Sequence, residues 1–83
     1  MATLHPDTLE RARQAILSRF LEWKTPAGGV VNAVAFAAVR NDFAYGYFDT
    51  VWQELANEGC IEILKGGRFA RLTTLGFNYV NGL

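Results

Sequence analysis

Over residues 5–24, Leu9, Ala12, Ile16, Phe20 and Trp23 recur at three- and four-residue spacing. Leu17 and Leu21 widen that stripe, while Arg11, Gln14, Ser18 and Glu22 fall on the opposite side. This period predicts an amphipathic helix, and Asp7 with Glu10 has the spacing of a capping box at its start. Thr25-Pro-Ala-Gly-Gly29 breaks the pattern, and Val30-Val31 reads as a very short strand. Asn32 is placed to cap a second helix over Ala33 to Arg40, built almost wholly of Ala, Val and Phe36. A helix apolar all round is expected to be buried on every side. Arg40-Asn41-Asp42 forms a polar turn, and Phe43 tucks back as an anchor between helices. From about Tyr45 a third helix turns Phe48, Val51, Trp52 and Leu55 inward, Gly46 weakening its first turn. Gly59 stops it, because glycine takes the left-handed conformation without steric cost.

The pattern then changes from helix to strand. Ile61 and Ile63 alternate with Glu62, Gly66-Gly67 makes a tight turn, and Phe69 to Leu72 return. A two-residue turn sets Lys65 opposite Arg68 and pairs Leu64 with Phe69, Ile63 with Ala70, Glu62 with Arg71 and Ile61 with Leu72. Ile61, Ile63, Ala70 and Leu72 share the core face. On the outer face a Glu62–Arg71 ion pair lies beside Leu64 and Phe69. Val30-Val31 is the natural third strand. Thr73 caps a last helix, Thr74 to about Asn81, in which Gly76 permits close packing against a neighbour.

The order helix, short strand, helix, helix, β-hairpin, helix, as one α+β domain over residues 1–83, resembles a winged-helix domain. Leu55 with Glu58-Gly59-Cys60-Ile61, and Leu72-Thr73-Thr74-Leu75-Gly76, are similar to the matching stretches of MarR-like and PadR-like bacterial regulators. The resemblance implies a transcription-regulator-like protein that binds double-stranded DNA. In that family the third helix enters the major groove and the wing touches the backbone or minor groove alongside. Tyr47, Thr50 and Gln53 would then face bases, with Tyr45 at the helix start and Lys65 and Arg68 at the wing tip.

Charge complicates the implication. Eight basic residues balance eight acidic ones, so phosphate binding requires the charges to be segregated. No Lys or Arg lies between Arg40 and Lys65, whereas Asp42, Asp49, Glu54, Glu58 and Glu62 all do. An acidic third helix with Tyr45, Tyr47 and Phe69 around it equally fits a winged helix that contacts a protein partner without DNA.

Composition narrows the rest. At 51% hydrophobic and 19% charged, the chain reads as globular. So apolar and short a domain is expected to form a homodimer, here through its first and last helices. One cysteine, Cys60, excludes a disulfide within the chain and reads as a small buried residue. The single histidine, His5, precedes the first helix as a solvated residue. No nucleophile–base pair, phosphate loop or ligand cluster occurs at workable spacing, so neither catalysis nor a metal or cofactor is expected. The longest weakly polar run, residues 27–39, contains Asn32 and is too short to span a bilayer. With no signal peptide ahead of the first helix, a cytoplasmic protein without membrane contact is expected.

Overall fold

In the computed structural model, which describes residues 4–82, the first stripe forms α1, Pro6–Glu22. Pro6 opens the helix, since its fixed φ suits the first turn and its missing N–H is not needed there. That proline makes His5 the N-cap and places Asp7 inside the helix, so the capping box does not form. Glu10 instead accepts from Gln14 Nε2 at 3.0 Å. Ala12, Ile16, Leu17 and Phe20 are buried, whereas Trp23, just past the helix end, stays 38% exposed and Leu21 44%.

Residues 33–41 depart most from expectation. β1, Val30–Asn32, leads into a 3-10 turn, Ala33–Phe36, and a short α2, Ala37–Asn41. Asn32 does cap it, its Oδ1 accepting from the Val34 N–H at 2.9 Å. The segment is not buried all round. Phe36 and Val39, three residues apart, are buried and Ala33 packs partly against the core, while Val34 is 76% exposed. One face meets the core, and the small side chains on the other are left outside. Phe36 sits among rings, with Phe20, Trp23 and Trp52 centroids at 5.2, 5.1 and 5.0 Å.

The connection over residues 42–46 is longer than a tight turn and drops Phe43 onto the core. α3, Tyr47–Asn57, therefore begins two residues later than the pattern implied, with Gly46 at φ +93° as its N-cap. Phe48, Val51, Trp52 and Leu55 are buried against α1 and the sheet.

β2, Ile61–Leu64, and β3, Phe69–Leu72, pair in the expected register, Ile61 opposite Leu72 and Leu64 opposite Phe69. The turn is wider than two residues. Lys65, at φ +50°, and Arg68, in the right-handed helical region, both leave the ladder. β1 adds on the far side of β3, giving an antiparallel sheet in the order β1-β3-β2. Ile61, Ala70 and Leu72 face inward and are buried; Val30, Glu62, Leu64, Phe69 and Arg71 lie on the outer face.

Thr73 accepts from the Gly76 N–H at 3.0 Å and so caps α4, Thr74–Asn81. Gly76 packs so closely that a Cβ there would sit on the Cys60 carbonyl oxygen. Among the described residues, four α-helices and one three-stranded antiparallel sheet make this an α+β fold. Among the described residues no helix is long and apolar enough to cross a membrane.

Candidate nucleic-acid interface

The exposed side of α3 is anionic. Asp49, Gln53 and Glu54 face solvent and Thr50 is half-buried, so Thr50 and Gln53 share an outward surface. Gln53 Nε2 donates to Asn57 Oδ1 at 3.1 Å, one turn on. No cation lies on this helix.

Tyr47 does not join that surface. It is 8% exposed, and its hydroxyl accepts from the His5 backbone N–H at 3.0 Å. As the first residue of α3, Tyr47 lies where the helix passes the start of α1, and the core claims its ring. The sequence reading of Tyr47 as a base-facing residue is corrected by this burial. Tyr45, two residues earlier in the connection, is 99% exposed.

Two of the arginines near α3, Arg40 and Arg13, are held by carboxylates, whereas Arg11 near Tyr47 donates to Thr8 Oγ1 at 3.4 Å. Arg40 donates to Asp49 Oδ1 at 2.7 Å, with its guanidinium 4.5 Å above the Phe48 ring centroid. Arg13 makes two bonds to Glu58, at 3.0 and 2.6 Å, and lies 5.1 Å from the Tyr79 ring centroid. These contacts tie α1, the end of α3 and α4 together. They raise the Arg13 pKa, and the same Arg13 hydrogen bonds hold the Glu58 carboxyl below its usual range. Neither arginine is free to approach a phosphate without giving up a partner.

The hairpin has the opposite balance. Lys65, Arg68 and Arg71 stand on it with one carboxylate, Glu62. Glu62 takes up Arg71 at 3.5 Å, a long pair with both side chains about half exposed. Lys65 and Arg68 are exposed at the tip and make no ion pair among the described residues. The tip is anchored from behind, where the Ala33 N–H donates to the Arg68 carbonyl at 2.9 Å and the Arg68 N–H reaches the Lys65 carbonyl at 3.3 Å. Charge is thus segregated, with α3 negative and the hairpin positive.

Phe69 is half-buried on the outer sheet face and walls two shallow grooves. β1 completes that face as the third strand, pairing with β3 as the sequence pattern suggested for Val30-Val31. The Arg40–Asp49 pair depends on how the connection over residues 42–46 turns. Cys60 is buried, and desolvation pushes its thiol pKa up, which disfavours the reactive thiolate. No group of three or more His, Cys, Asp and Glu side chains converges among the described residues.

Comparison of this chain with protein-family models, with curated proteins and with solved structures found no match.

Proposed function

We propose that the chain is a small winged-helix DNA-binding domain, regulator-like and without catalysis, that holds its nucleic acid through the hairpin more than through α3. The element order supports the winged-helix reading: α1, β1, α2, α3, a hairpin and α4, with β1 completing the sheet. The observation that carries the function is the pair of exposed, unpartnered cations Lys65 and Arg68 on a tip pinned to the body by the Ala33 N–H. Thr50 and Gln53 remain available to read base edges, but the carboxylates beside them set a like charge against the backbone. Tyr47 has no base-reading part in this scheme. A homodimer through α1 and α4 fits the exposure of Leu21, Leu75 and Tyr79 on those helices.

The test is the salt dependence of binding to a DNA duplex, followed by fluorescence anisotropy. Each phosphate contact contributes a slope of about −0.9 in log K against log salt. Lys65→Ala with Arg68→Ala should flatten the slope by about 1.8 and weaken all sequences alike. An unchanged slope, or no wild-type complex at low salt, overturns the proposal.

A second reading has its own support. Tyr45 at 99% exposure and Val34 at 76% are large apolar side chains left in solvent. Such residues suit the centre of a protein–protein contact. Under that reading Tyr45→Ala and Val34→Ser abolish a partner complex while leaving duplex binding alone.

A further inference from the structure

The outer sheet face combines an aromatic ring with cations on both of its flanks. Phe69 shares one groove with Val30, Leu64, Lys65 and Arg71, and borders Arg68 across the other. Its strand neighbours Ala70 and Leu72 are fully buried on the opposite side, so the direction of Phe69 follows from the pleat. Resting on the hairpin-led reading above, we infer that this face binds single-stranded DNA, with a base on the Phe69 ring and phosphates beside Lys65, Arg68 and Arg71.

Three features favour an unpaired strand. Every base has a π-face, so stacking on an aromatic side chain tolerates any sequence, while flanking cations follow the backbone. In a duplex the bases already stack on one another and offer no free face to a ring standing on an open sheet. The helix that would enter a duplex groove, α3, is anionic, so it adds nothing to the hairpin's hold on a duplex. The one carboxylate on the face, Glu62, holds Arg71 at 3.5 Å with both groups about half exposed. A pair of that kind contributes little and exchanges readily for a phosphate.

DNA fits better than RNA. A ribose 2′-hydroxyl calls for polar partners beyond those that hold phosphate; besides the three cations, the grooves beside Phe69 are lined by Val30, Ala33, Val34, Leu64, two glycines and one amide, Asn32. That amide has its Oδ1 engaged by the Val34 N–H at 2.9 Å, which leaves its Nδ2 donors alone to meet a hydroxyl.

The experiment titrates the full chain into labelled oligothymidylate of about 12 nucleotides, within the site sizes seen for single-strand binders. Oligouridylate and a DNA duplex of similar length run in parallel, all by anisotropy. Oligothymidylate should bind most tightly. Phe69→Leu should weaken it about 5- to 150-fold, the range expected for one stacked base. Duplex binding should not change, and Phe69→Tyr should restore the wild-type affinity. A thermal melt and light scattering accompany each variant. Equal affinity for duplex and single strand, with no effect of Phe69→Leu, overturns the inference but leaves the hairpin-led reading standing. Tighter binding of oligouridylate overturns the choice of DNA. If Phe69→Leu converts a dimer to a monomer, the face is a contact between copies and the inference falls. No binding of either DNA at low salt removes both proposals together.

Discussion

Replacing Phe36 tests the packing of the segment that departed furthest from its sequence pattern. The ring is 1% exposed and lies edge-on or tilted against Phe20, Trp23, Phe48 and Trp52. Truncating a buried Phe to Ala costs about 3–5 kcal/mol through lost transfer energy and the cavity left behind. At about 0.05–0.15 kcal/mol per residue, an 83-residue domain has roughly 4–12 kcal/mol in total. Phe36→Ala therefore removes about a quarter or more of the stability. With a slope near 1.5 kcal/mol/M, the urea midpoint should fall by roughly 2–3 M. Tryptophan fluorescence reports the change directly, because both tryptophans of the chain touch Phe36, at 5.1 and 5.0 Å between centroids. The comparison that decides the matter is Val34→Ser with Ala38→Ser. If the helix were buried on all sides, each would sink a hydroxyl into the core at about 1–3 kcal/mol. With both positions in solvent, each should stay within about 0.5 kcal/mol. A loss under about 1 kcal/mol for Phe36→Ala, or serine variants as damaging as that alanine, would refute the one-faced packing.

Gly76→Ala should cost more than about 2 kcal/mol in a denaturant melt, because the new Cβ meets the Cys60 backbone. Gly66→Ala, with open space around it at φ +66°, should cost only about 1 kcal/mol of backbone strain. Glu58 has its pKa lowered by Arg13, so its contribution is present above the ordinary carboxylate range and disappears as the pH falls through the folded-state value. The urea midpoints of wild type and Glu58→Gln should accordingly differ at pH 7 and draw together as the pH falls below the ordinary carboxylate range; a gap that widens on acidification contradicts the pairing. Tyr47→Phe removes an acceptor from the His5 N–H and should cost about 0.5–1.5 kcal/mol. DNA affinity measured on the same variant should not move, since the hydroxyl is directed at α1.

The face each long element turns inward was legible in the sequence. Bulky side chains at helical spacing in α1 and α3 specify a stripe, and alternation along the hairpin specifies both register and the outer pair Glu62–Arg71. Thr73 and Gly76 were readable because cap chemistry and close approach act within a few residues. Residues 33–41 were not, because Ala and Val repeated without a polar face carry no phase. Only contact with α1 and α3 selects Phe36 and Val39 to face inward. Tyr47 is ambiguous for a related reason, since a phenol suits solvent or core until a neighbour takes its hydroxyl. Whether a cation is free or spent is decided by residues distant in the chain, as Arg13 with Glu58 shows, 45 positions apart. Local periodicity thus determined which elements form and which way they face. The tertiary arrangement decided which charges cancel, and so left Lys65 and Arg68 outside the ion pairs at the hairpin tip, because ion pairing depends on separation in space rather than along the chain.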